Sequence, residues 1–173
     1  MSNLMVDVKQ KYKSSTRIDS QLEDSKQFID NFILHGTAIN VLETVSRDFE
    51  GSEQRAYTIT GPYGSGKSTV ALFLSLLLST NKDERDYAED SLDSAEGLKS
   101  EFPNRFKINN GWKTIKHVCA MESPAHSILF TVATSLKIKI KKDDIKKLTD
   151  VECLELLEEY LNSKKIKEDG VLI

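Results

Sequence analysis

The chain is poor in cysteine, with only Cys119 and Cys153 in 173 residues. Two cysteines cannot make a disulfide framework, and a reducing cytoplasm is the simpler expectation. No long hydrophobic run is present either. The longest apolar stretch, 70–78, is interrupted by Ser75. It covers about half of the ~20 residues that a bilayer requires, so no membrane span is expected. The N-terminal MSNLMVDVKQKYK lacks the apolar block of a signal peptide. An excess of one charge is also missing: 24 Lys and Arg against 27 Asp and Glu leave a net charge of -3. Bulk charge therefore argues against a strongly cationic nucleic-acid binder. What is present, 39% apolar and 29% charged residues, is enough for a core and fits one ordinary domain.

Residues 1–27 are polar without a sustained period and read as a flexible leader; residues 28–173 read as one domain. The segment 28–34 is more apolar and is expected to touch the core. Ala38, Val41, Leu42, Val45 and Phe49 recur at three- and four-residue spacing, which predicts a helix opened by Thr37 and ended at 50–52. Residues 55–60, RAYTIT, are β-branched and aromatic and predict a strand. From Lys67 to about Ser79 nearly every residue is apolar or small, which predicts a buried helix. The acidic run 83–101 predicts a solvated helix or excursion broken by Gly97 and Pro103. Residues 112–121 predict a second strand, and Ser123-Pro124 a helix start with a hydroxyl cap. Residues 136–141 alternate like a short strand or a helix exit. Thr149-Asp-Val-Glu152 has capping-box spacing ahead of a helix over 150–162, and 170–173 looks like the start of a buried strand. This order of strands and helices predicts a mainly parallel sheet covered on both faces.

The most informative residues are Gly61-Pro62-Tyr63-Gly64-Ser65-Gly66-Lys67-Ser68, followed by Thr69. They match G-x-x-x-x-G-K-[ST], a pattern expected by chance in under about 1% of chains of this length. A triphosphate needs many donors converging on a small volume. The glycines let the backbone turn without a Cβ in the way, so that amides from about Gly64 to Thr69 can form a nest. The helix starting near Lys67 adds its positive end. The Lys67 ammonium is expected on the β- and γ-phosphates and is the candidate catalytic residue. The Ser68 hydroxyl is the candidate Mg²⁺ ligand, and Thr69 is expected to serve the α-phosphate. The reading requires the loop to lie between a sheet strand and a helix, with its concavity clear of side chains.

At these residues the chain resembles the P-loop NTPases. Over 35–79 it is most similar to the AAA-like ATP-binding core of large prokaryotic ATPases, some of them from phage-defence systems. The resemblance implies an α/β, three-layer fold with a mainly parallel sheet flanked by helices. It also implies ATP and Mg²⁺ as ligands, hydrolysis that drives conformational change in a larger assembly, and other protein subunits or domains as partners. It places 32–36 against the adenine. Such ATPases also carry a carboxylate pair at the end of a later apolar strand. No such pair is found here; Glu122 is a single acid. Residues 170–173 resemble the opening of that strand, so the expectation is an N-terminal piece of a longer ATPase, incomplete at its C-terminus.

Two other functions compete. A small-molecule or nucleotide kinase would use the same loop but needs arginines over the phosphates, for which only Arg85 and Arg105 are candidates. A non-hydrolysing, nucleotide-dependent interaction module would need no acids. Asn81-Lys82-Asp83 brushes against a guanine-specificity motif but departs from it at Glu84. His117, Cys119 and His126 fall short of a metal-ligand set. The lysines at 137, 139, 141, 142, 146 and 147 form a basic cluster that could meet nucleic acid or an acidic partner; a solvated face is the preferred reading, since no aromatics interleave them for base stacking.

Overall fold

The computed structural model describes residues 18, 25–119, 121–163 and 166–173. Apart from residue 18 and 25–27, the polar leader expected over 1–27 lies outside the described residues. The last three of its residues open a helix, α1 (Ser25–Asn31). Seven further α-helices follow among the described residues: α2 (Gly36–Gly51), α3 (Lys67–Leu77), α4 (Lys82–Asp90), α5 (Glu96–Arg105), α6 (Pro124–Ser135), α7 (Lys142–Ile145) and α8 (Asp150–Leu161). The strands β1 (Lys113–Thr114) and β2 (Val171–Leu172) pair in parallel, Lys113 opposite Val171.

The expected three-layer fold with a mainly parallel sheet is therefore not what forms. The described residues are mostly helical, and their sheet is one two-residue ladder. The physical reason lies in pairing. Residues 55–60 have strand-forming side chains, but their amides find no backbone partner among the described residues, and all except the partly covered Ile59 are exposed. β-propensity describes fit to a half-buried sheet, and without neighbouring strands it is not realised. The second expected strand is likewise reduced to Lys113–Thr114, and its Ala120 lies outside the described residues. Where strands do pair they are parallel, with α6, α7 and α8 as the crossover, as parallel pairing demands.

Helix-on-helix packing carries the burial. α3 is apolar around its circumference and is buried on most sides: Leu72, Phe73 and Leu77 are fully covered. Leu42 and Val45 of α2 and Leu98 and Phe102 of α5 join the same cluster. Phe32 stacks on Phe73 at 4.4 Å between centroids, so 28–34 does touch the core. Phe106 packs between Phe49 and Trp112, at 4.6 and 5.7 Å. Smaller clusters around Val132 and around Leu129, Ile145 and Cys153 unite α6, α7 and α8.

Several local readings change. His35, not Thr37, caps α2, accepting the Ala38 amide at 3.4 Å. The acidic run is not simply solvated. It forms α4 and α5 and buries Ala88, Leu92, Leu98 and Phe102. Neither Gly97 nor Pro103 breaks α5, because burial of its aromatic face outweighs the lost bond at Pro103. Pro124 opens α6, but the Ser123 hydroxyl donates to Asp150 at 2.6 Å instead of capping. Residues 136–141 are the helix exit: Lys137 adopts φ 57° and the Ile138 amide reaches back to the Ala133 carbonyl at 2.8 Å. The Thr149–Glu152 capping box forms as its spacing predicts.

Candidate functional site

The glycine loop is a surface feature built on the buried helix α3. Gly64 and Gly66 both sit at φ 80°, a left-handed conformation open to glycine at little cost. Gly66 is the N-cap of α3 and supplies no side-chain cap. The first intrahelical bond is from the Val70 amide to the Gly66 carbonyl, at 2.9 Å. The amides of Gly64, Gly66, Lys67, Ser68 and Thr69 consequently have no partner among the described residues. The Ser65 amide closes a turn onto the Pro62 carbonyl at 3.3 Å. Gly61 lies where a Cβ would come 2.9 Å from the Ser65 hydroxyl, so the turn is tight there as well.

Lys67 is folded back over this turn. Its ammonium donates to the Gly61 and Pro62 carbonyls at 2.9 and 2.7 Å and approaches Ser65 Oγ at 3.4 Å. These are neutral acceptors in an exposed setting. An anionic oxygen at the same place would make a shorter, charge-assisted bond. The Ser68 and Thr69 hydroxyls have no hydrogen-bond partner among the described residues, and Ser68 is exposed. Tyr63, at the tip, is 97% exposed and touches no core. Free amides, an ammonium and an accessible hydroxyl thus lie together at the start of α3. Among the described residues no cluster of three or more His, Cys, Asp or Glu could hold a metal by itself.

Neither condition that the P-loop reading requires is met. The loop leads into a helix, but what precedes it is irregular chain rather than a sheet strand. Arg55, stacked on Phe49 with its guanidinium 4.1 Å from the ring centre, ties the start of that segment to the core. And the concavity is not clear of side chains, since the Lys67 ammonium itself lies on the loop carbonyls.

The other candidates are engaged elsewhere. Glu122 pairs with Lys142 at 3.1 Å; the hydrogen bond from Lys142, aided by one from Ser127, holds its carboxyl below the usual range. Arg85 is buried and donates to the Ser79 carbonyl, while Arg105 binds Glu101 and reaches the Ser46 hydroxyl at 3.1 Å. Neither arginine is free to meet a phosphate. Both ring nitrogens of His117 face hydroxyls, of Ser127 and Thr131, at 2.8 Å, and His126 Nε2 faces the Leu148 carbonyl at 2.8 Å. Asn81 caps α4 by accepting the Asp83 amide at 3.0 Å, which accounts for the Asn-Lys-Asp triplet as a helix start. Of 32–36, Phe32 is spent on Phe73 and His35 on the α2 cap, whereas Ile33 is 78% exposed. In the lysine cluster, Lys142, Lys146 and Lys147 pair with Glu122, Asp143 and Asp144.

Sequence reasoning missed a junction that organises the far side of the molecule. One oxygen of Asp169 accepts three consecutive amides, of Asn109, Asn110 and Gly111, at 2.6, 2.7 and 2.8 Å. Asn-Asn-Gly signals a turn, but nothing in the sequence pairs it with an acid near the other end of the chain. No helix among the described residues is long and apolar enough to cross a membrane. Compared with protein families, with curated proteins and with solved structures, the chain finds no match.

Proposed function

We propose that this chain binds a Mg²⁺-nucleoside triphosphate, ATP by resemblance, through the loop Gly61–Thr69. Neither the preceding sheet strand nor the clear concavity of a full P-loop ATPase is present, so the proposal is restricted to binding, and it is carried by the run of amides left free where the loop enters α3, beside the Lys67 ammonium. In this reading Lys67 leaves the Gly61 and Pro62 carbonyls for the β- and γ-phosphates. Gly64, Gly66 and Thr69 donate amides, and Ser68 completes the Mg²⁺ shell. Hydrogen bonds to charged groups contribute roughly 1.5–3 kcal/mol each, so several acting together outweigh desolvation.

Hydrolysis needs a carboxylate that orients water. Among the described residues no carboxylate is hydrogen-bonded to the loop, and Glu122 is held by Lys142. The chain alone is therefore a nucleotide binder, and turnover that drives a larger assembly depends on an acid from outside the described residues. The kinase alternative loses its two arginines to structural roles. The test is calorimetry with ATP and with GTP in the presence of Mg²⁺. Saturable ATP binding is expected, weakened at least about tenfold by Lys67→Ala, with ATP hydrolysis by the chain alone near background. Equal affinity in the variant would overturn the role of Lys67, and ordinary ATPase turnover would reveal a missed carboxylate.

A further inference from the structure

A cavity of about 490 Å³ opens toward the end of α3 remote from the glycine loop. The helical rise from Lys67 to Leu76, which lines it, is roughly 13 Å. Formally its wall is balanced, with Lys113 and Lys116 facing Glu84 and Glu168. Its hydrogen bonding is not. Glu84 accepts the Ser25 hydroxyl on one oxygen and the Ser79 hydroxyl on the other, both at 2.7 Å. Glu168 accepts the Lys167 amide at 2.8 Å, and its second oxygen stands 3.9 Å from Lys113 Nζ.

Three donors of the wall, Lys116, Thr80 and Thr114, are by contrast unengaged among the described residues. Lys116 is half-buried yet makes no ion pair or hydrogen bond among the described residues. Burial pushes its pKa down, and Glu84 opposes that only through space. The hydroxyls of Thr80 and Thr114, in the same wall, have no partner among the described residues either. A half-buried ammonium whose counter-charge, Glu84, acts only through space and has both oxygens engaged by hydroxyls is left without a direct partner, which a closer anion would supply.

We infer that this cavity binds a small organic or inorganic anion, carboxylate or phosphate, through the Lys116 ammonium, with the Thr80 and Thr114 hydroxyls as supporting donors. Its volume lies within the ~300–1,000 Å³ of small-molecule sites. The inference does not rest on nucleotide binding at the glycine loop, which it neither shares residues with nor requires.

Trp112 is the one tryptophan in the chain and lines this cavity, so its fluorescence reports occupancy. The probes are inorganic phosphate and citrate, titrated separately so that the two anion classes are told apart. A saturable change with at least one of them is expected. Lys116→Gln should weaken it at least about tenfold, the loss of a charged hydrogen bond. Lys116→Arg should stay within a few-fold of the parent, and Lys67→Ala should leave it unchanged. No saturable change with either probe would overturn the proposal, as would a change indifferent to Lys116→Gln. A change abolished by Lys67→Ala would place the anion at the glycine loop and also overturn it. If circular dichroism shows Lys116→Gln unfolded, Thr114→Val decides: a few-fold weakening supports the site, and unchanged affinity sinks it.

Discussion

α3 and the loop that feeds it are consecutive in the chain and held by opposite means. Val70, Leu72, Phe73, Leu76 and Leu77 keep their places because water is excluded from them. Residues 52–65 lie at the surface, nearly all exposed, and their shape comes from side-chain hydrogen bonds to the backbone around Gln54 and Arg55, two left-handed glycines nearby and one lysine that closes the turn. The first kind of segment is robust to polar chemistry and sensitive to volume. The second is the reverse. The contrast recurs on the far side, where three amides hold Asp169 while the aromatic cluster of Phe49, Phe106 and Trp112 packs by shape.

Volume should matter most in the buried partner. Phe73→Ala is expected to cost about 3–5 kcal/mol, because the ring is fully buried and stacks on Phe32. Urea denaturation measures it, and a loss below about 1 kcal/mol would mean that α3 is not the centre of the core. Next comes a position where backbone and packing coincide. Gly111 sits at φ 82°, and a Cβ there would run into the Ser79 carbonyl and lie 2.7 Å from Thr80 Cα. Gly111→Ala should cost roughly 2–5 kcal/mol, the sum of left-handed strain and overpacking. A near-neutral result would dissolve the junction described here.

Backbone capping at the surface should count for less. Thr149→Ala removes the hydroxyl half of the box at the start of α8 and is expected to cost about 1 kcal/mol. The same site predicts a pH effect. The Thr149 amide, with its hydroxyl, holds the Glu152 carboxyl below its ordinary value, as Lys142 does for Glu122. A carboxylate depressed in the folded state stabilises above its unfolded pKa, and that contribution is lost as pH falls through the folded value. Thermal stability should therefore drop on acidification below the ordinary carboxylate range, and less so in Thr149→Ala. Because the Thr149 amide stays in that variant, the deciding change is Glu152→Gln, and a pH profile identical to the parent's there would remove Glu152 from the account. The smallest effect on folding is expected at the loop: Lys67→Ala should change stability by under about 0.5 kcal/mol while its binding loss is large. A large stability loss there would mean that the lysine is structural and that the contrast between the two segments fails.

By itself, the sequence determined what depends on short-range chemistry. The helical register of 38–49, the buried run after Lys67, Pro124 as a helix start and the Thr149–Glu152 box were all legible, because each rests on neighbours within a turn or two. The glycine loop was legible for the same reason. Only the tertiary structure decided matters that depend on distant partners. It left 55–60 unpaired despite its β-branched residues, since a strand needs another strand's amides. It folded the acidic run onto the core, because Ala88, Leu98 and Phe102 lie on faces that the charges conceal in a linear reading. It also brought Asp169 to the amides of 109–111 and Lys116 to the cavity beneath α3. Those encounters are set by how the elements pack and not by any local pattern.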